Sequence, residues 1–174
     1  LGAVFTQKQV INPLRVQPSE IALTNVVTGC TVFCNRSLLQ RALPVPAAAL
    51  VHDWWLALVA SVFGEIHFHP SCLILYRQHG ANSIGAKGLG WRYWLQRLVQ
   101  WMFCPAQGGH TLEAIDQMDC FEQRYGVCVS PLPKLVRLSR WRRVVWFCKT
   151  PRSDWPHKHG VLRTLALYFW LLRI

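Results

Sequence analysis

The stretch Val51-His52-Asp53-Trp54-Trp55-Leu56-Ala57-Leu58-Val59 decides how the rest of the chain is read. Pro44 and Pro46 precede it, Ala47 to Leu50 lead into it, and Gly64 follows. From Trp54 onward the apolar residues are too dense for a surface helix, so the stretch predicts a buried helix with a carboxylate in its first turn. An acid is favoured there by unpaired N–H groups and by the positive end of the helix dipole. A charged group on a greasy element needs a partner or a task. Two readings stay open on these residues alone: a helix-capping Asp, or a carboxylate positioned as a general base.

Bulk composition narrows the surroundings. The chain has 174 residues, enough for one domain with a real core. Hydrophobic residues make up 52%, and there are nine Trp. The formal charge of +11 is uneven, with six Lys/Arg against three acids up to residue 90 and thirteen against five beyond it. The basic half is also the Trp-rich half, which suits an anionic membrane surface, where cations meet headgroups and indoles sit at the interface. Nucleic acid is the other electrostatic candidate. It rests on Arg137 to Arg143 with Trp141, but no recognised nucleic-acid motif accompanies them, so no nucleic-acid partner is expected.

Seven Cys at 30, 34, 72, 104, 120, 128 and 148 include no C-x-x-C pair. They read as reduced, mostly buried thiols in a cytosolic protein rather than a disulfide framework or a zinc site. His67 and His69 alternate on an expected strand, a two-His pair with no third ligand nearby. No apolar run reaches spanning length. Leu165 to Leu172, between Arg163 and Arg173, is better suited to an interfacial helix. No initiating Met, signal peptide or transit segment opens the chain at Leu1, and the expectation is a piece lacking its first half.

In chain order, residues 1–20 read as irregular and Ile21 to Leu23 as a short helical turn. Asn25 to Cys34 has the β-branched density of a buried strand, interrupted by Gly29 where a ligand could approach the backbone. Asn35 is placed to cap a helix over Arg36 to Ala42, ended by Pro44. Glu65 to Phe68 and Cys72 to Tyr76 read as paired strands, followed by a polar, glycine-punctuated loop from Arg77 to Lys87. A boundary falls near Gly88 to Gly90. Beyond it helices are expected over 91–102, over Thr111 to Tyr125 with Gly126 as a stop, over Lys134 to Cys148, and over Gly160 to Arg173.

Five of these pieces fall in a recognisable order. They are Thr28-Gly29-Cys30-Thr31, Ala42-Leu43-Pro44-Val45-Pro46, His52-Asp53-Trp54-Trp55, Tyr76-Arg77-Gln78-His79-Gly80-Ala81-Asn82 and Ile84-Gly85-Ala86-Lys87. Together, over residues 22–87, they resemble the C-terminal half of bacterial family 2 glycosyltransferases, particularly rhamnosyltransferase-like members of O-antigen and other surface-polysaccharide assembly. The resemblance implies an α/β fold, a partial GT-A-type sandwich over 1–87 that forms the acceptor-side half, followed by a mainly α-helical, basic, Trp-rich extension over 88–174.

On the matching positions, Asp53 looks like the catalytic base. Gly29 looks like the glycine near the donor sugar, where a side chain would obstruct approach. Cys30, His52, Trp54, Trp55, Arg77 and Gln78 are carried over as substrate-binding positions, with Arg77 toward the diphosphate and one of the two Trp stacking on a sugar face. His79 looks like a ligand of the divalent metal, Mg or Mn, expected under the diphosphate in the intact enzyme. The plainer alternatives are a packed thiol at Cys30, a core Trp among Trp54 and Trp55, a loop cap at His79 and a solvated charge at Arg77.

The resemblance implies a nucleotide-sugar donor and a lipid-linked saccharide acceptor. The family holds its nucleotide and metal with an Asp-x-Asp motif, and no such motif occurs in these 174 residues. The expectation is therefore a glycosyltransferase piece, inactive alone and not binding the metal by itself. Its expected location is cytoplasmic, peripheral on the inner face of the plasma membrane. The alternative is a non-catalytic peripheral membrane-binding module.

Overall fold

In the computed structural model, residues 17–69, 71, 110–156 and 161–173 are described, the side chains of the last helix from residue 164 on. The chain divides into two units, Leu1–Val10 with His69–Gln107, and Ile11–Phe68 with Gly108–Ile174. Of the first, only His69 and Ser71 are described, with the Ser71 N–H donating to His69 Nδ1 at 3.3 Å. Every described helix belongs to the second unit.

The centre of that unit is helix α3, His52–Phe63, which comes after short α1 (Pro18–Leu23) and α2 (Arg36–Ala42). Trp55, Leu58 and Val59 are completely buried, and Trp54 and Ala57 nearly so. Burial of each large apolar side chain is worth roughly 1.5–3 kcal/mol, so α3 supplies much of the driving force for this unit. Gly64 ends the helix, its N–H donating to the Ala60 carbonyl at 2.9 Å.

The two indoles fasten the neighbouring helices. Trp54 Nε1–H donates to the Ile21 carbonyl of α1, and Trp55 Nε1–H donates to the Ala42 carbonyl of α2 at 2.9 Å. A buried indole N–H needs an acceptor, and each finds one on a carbonyl at a helix end; the Ile21 carbonyl also accepts the Thr24 N–H at 3.3 Å. Helix α1 starts at Pro18, with the Glu20 carboxylate accepting the Gln17 N–H at 3.2 Å. Helix α2 is capped by Asn35, whose Oδ1 accepts the Leu38 N–H at 2.9 Å.

Helix α4, His110–Tyr125, lies against the same core through Ala114, Ile115, Met118 and Phe121. Phe121 meets Trp55 edge-on at 5.6 Å and Tyr125 at 4.7 Å. Gln117 is fully buried, and its Oε1 accepts the Leu50 N–H at 3.2 Å just before α3 begins. At the far end Arg124 grips the exit of α2, donating to the carbonyls of Pro44 (2.7 Å), Leu43 (2.6 Å) and Arg41 (3.3 Å). The Tyr125 hydroxyl donates to that Arg41 carbonyl at 2.8 Å. Gly126, at φ +70°, stops α4 in the left-handed conformation glycine tolerates best.

The helix expected over Lys134 to Cys148 is instead two: α5, Leu132–Arg137, and α6, Arg140–Lys149. The break lies at Leu138, which is extended at ψ 151°, and Ser139 precedes α6 at ψ 156°. Lys134 pairs with Glu122 of α4 at 3.0 Å and Arg137 with Asp119, tying α5 back to α4. That hydrogen-bonded pair raises the Lys134 pKa and lowers that of Glu122. Helix α7, Val161–Arg173, packs on α6, with Leu167, Trp170 and Leu171 buried. Arg143 of α6 is also buried, donating from Nη1 to the Leu171 carbonyl at 2.6 Å. Burial, and the nearby charge of Arg140, lower the Arg143 pKa.

The expected α/β arrangement, a partial GT-A-type sandwich, is overturned: among the described residues there are helices and no strand. The Asn25 to Cys34 segment, expected as a buried strand, is extended chain broken by a 3₁₀ turn at Gly29–Thr31. The physical reason is local competition for backbone donors. Asn25 Oδ1 takes the Val27 N–H at 3.0 Å, and the Thr28 and Gly29 carbonyls take the Thr31 and Val32 N–H groups. Glu65 to Phe68 likewise forms no strand. The expected partner strand at Cys72 to Tyr76 and the helix over 91–102 lie outside the described residues.

Candidate active site

The first turn of α3 has no side chain capping it from Val51. Asp53 does that work from inside the helix. Its Oδ1 accepts the Trp54 N–H at 2.7 Å, one of the amides no helical carbonyl can reach, and the Asn25 Nδ2–H at 3.3 Å. Asn25 is itself fixed by its bond to the Val27 N–H, so it holds the carboxylate in one orientation. The residue is 9% exposed.

The second oxygen, Oδ2, faces the 3₁₀ turn. A Cβ built on Gly29 would lie 3.3 Å from Asp53 Oδ2, 3.0 Å from His52 Nε2 and 3.3 Å from His52 Cε1. Gly29 therefore packs bare backbone against both side chains, and any larger residue would crowd them. Among the described residues, no hydrogen bond reaches Oδ2. Oδ1 is thus held by the fold as a cap of the first turn, and Oδ2 lies against the glycine turn.

Gly29, distant in sequence from the neighbouring His52 and Asp53, meets them here. His52 and Cys30 are exposed, Cys30 lying on the 3₁₀ turn beside Gly29, so it is not the packed thiol; the mostly buried thiols expected are not found among the described residues, where Cys128 and Cys148 are also exposed and Cys34 and Cys120 half-buried. Trp54 and Trp55 are both core residues, 6% and 0% exposed, with their indole N–H groups bonded to backbone carbonyls. The rings expected to offer a sugar-stacking face are used here in packing. Arg77, Gln78 and His79 lie outside the described residues. His67 is paired with Glu65 at 3.1 Å on the surface.

Among the described residues no cluster of three or more His, Cys, Asp or Glu is placed to hold a metal ion. These residues do not by themselves make a site for the expected divalent ion. A surface groove of about 450 Å³ lies between α2 and the C-terminal end of α3, with Arg41 and Phe63 among its walls. None of the sequence-predicted site residues lines it.

Asn25 is the position beside Asp53 that sequence reading passed over, because it was absorbed into an expected strand. The available signal was a polar residue opening an apolar, β-branched run, where Asn often turns its side chain on a backbone amide two residues on. No known protein family, curated protein or solved structure matches this chain.

Proposed function

We propose that the Gly29–His52–Asp53 constellation is the acceptor-activating side of a sugar transferase, of the inverting type that the motifs of residues 22–87 resemble. The observation that supports it is the convergence of a glycine backbone on one oxygen of a carboxylate whose other oxygen is fixed. A general base needs that combination: one lone pair spent on orientation, the other presented where a hydroxyl can reach it.

In this reading Oδ2 of Asp53 takes the proton of an acceptor hydroxyl as that oxygen attacks the anomeric carbon. The bond from that carbon to the diphosphate oxygen breaks, and the nucleoside diphosphate leaves with the electron pair. Attack opposite the leaving group inverts the configuration and needs no covalent intermediate. His52, exposed beside the glycine turn, is placed to hydrogen-bond the acceptor sugar. The donor is a nucleotide-diphosphate sugar, with rhamnose the sugar the resemblance points to, and the acceptor is a lipid-linked saccharide. With no Asp-x-Asp sequence among its 174 residues, the chain holds no donor by itself and is inactive in isolation.

The test supplies what the chain lacks. A separately expressed nucleotide-binding half carrying Asp-x-Asp is mixed with this chain, and transfer of radiolabelled sugar to a lipid-linked acceptor is followed. The expected result is transfer only with both parts, reduced about a hundredfold or more by Asp53→Asn. Equal transfer by the Asp53→Asn chain would overturn the assignment.

A further inference from the structure

We propose that the exposed apolar face of α6 docks on an anionic phospholipid bilayer. On α6, Trp141, Val145 and Cys148 recur at i, i+4 and i+7 and so share one face. Trp141 is 79% exposed and Val145 45%, an unusual position for an indole on a protein surface. Arg140, Arg142 and Lys149, all exposed, flank that stripe. On α7, Leu165 and Leu172, seven residues apart, are 55% and 37% exposed. Neither helix contains an acid.

The inward faces are already committed. Leu167, Trp170 and Leu171 are buried, and Arg143 is turned in to the Leu171 carbonyl, which removes it from the cations a partner could meet. What remains outside is an apolar stripe with cations along its edges. That is the pattern of an interfacial helix, with apolar side chains entering the headgroup boundary while Arg and Lys reach anionic lipid. A nucleic-acid face would place its cations centrally, toward phosphates. A second copy of the chain would bring Arg140, Arg142 and Lys149 against their own like charges. Among the described residues no helix is long and apolar enough to cross a membrane, so the contact lies in the plane of the surface.

The inference does not depend on Asp53, and its test leaves that site untouched. The full chain is floated with zwitterionic phosphatidylcholine vesicles, and with vesicles about one-third phosphatidylserine, in about 0.1 M salt. Binding to the anionic vesicles that falls as salt rises is expected. Arg140→Gln with Arg142→Gln lowers partitioning about 25-fold, from about fivefold per cation, and Trp141→Ser lowers it further. Arg36→Gln with Arg41→Gln removes the same charge elsewhere and leaves partitioning within about twofold. Trp141, Arg140 and Arg142 are exposed, so the variants fold, which circular dichroism checks. The proposal is overturned by absence of flotation, by retained flotation in the α6 variants, or by equal losses in the control. It is also overturned if a generic DNA duplex binds more tightly than the vesicles and through the same residues.

Discussion

Replacing Asp53 by Asn separates what the fold asks of this residue from what chemistry would ask. Asn keeps an oxygen able to accept the Trp54 N–H at 2.7 Å and the Asn25 Nδ2–H at 3.3 Å. It loses the negative charge at the helix N-terminus, worth about 0.3–1 kcal/mol. It also turns two charge-assisted bonds into neutral ones, a further cost of about 1 kcal/mol for a partly buried pair. The expected destabilisation is therefore about 1–2 kcal/mol. Asp53→Leu should cost roughly 3 kcal/mol, because the Trp54 amide and Asn25 then lose their acceptor in a nearly dry site. Urea unfolding followed by tryptophan fluorescence measures both. A loss above about 4 kcal/mol for Asp53→Asn would make the acid an architectural necessity and remove the reason for calling it a base. No loss in either variant would mean that the bonds to Oδ1 do not hold the carboxylate in solution.

The same geometry sets further outcomes. Arg124→Ala releases three carbonyls that water can then solvate, so it should cost about 1–2 kcal/mol, and Tyr125→Phe about half that. The two losses should be non-additive, because both side chains bond the Arg41 carbonyl, which a double-mutant cycle reads directly. Gly126→Ala places a Cβ at φ +70° with nothing to support it, and should lower stability by about 1 kcal/mol in the same unfolding assay. Glu122 titrates below the ordinary carboxylate range because Lys134 hydrogen-bonds its charged form. Its folded value is depressed, so the pair's contribution is present above the unfolded value near 4.5 and is lost as pH falls through the lower folded one. Carboxyl NMR titration should show that low midpoint, with Lys134→Gln returning it toward the ordinary range.

The elements legible in the sequence were those specified by near neighbours. Asn35 three residues before Leu38, Gly64 and Gly126 at helix ends, and the apolar run after Asp53 each carry their structural meaning within one or two turns. The segment from Asn25 to Cys34 was not legible, because β-branched density shows only that residues tolerate an extended backbone. Whether they form a strand depends on a neighbouring edge, and here Asn25 and the 3₁₀ turn take the amides first. The break at Leu138 was hidden by continuous helical periodicity through Arg143, which turns inward to α7. Arg124 reaching carbonyls some eighty residues earlier is a tertiary fact no local pattern encodes. At the site, the motifs named Gly29, His52 and Asp53 one by one, while their mutual contact, Asn25 and the burial of both Trp54 and Trp55 emerged only from packing.

The proposed role of Asp53 rests on Gly29 lying against His52 and Asp53, and that contact can be read without any chemistry. In the full chain with labelled glycine and histidine, a nuclear Overhauser effect should connect a Gly29 Hα proton to His52 Hε1, since a Gly29 Cβ would sit 3.3 Å from His52 Cε1. Gly29→Val should shift the His52 ring signals while leaving the Phe121 and Leu171 core resonances in place. Absence of the cross-peak, with both residues assigned and the fold intact, would contradict the site and with it the assignment of Asp53 as a base.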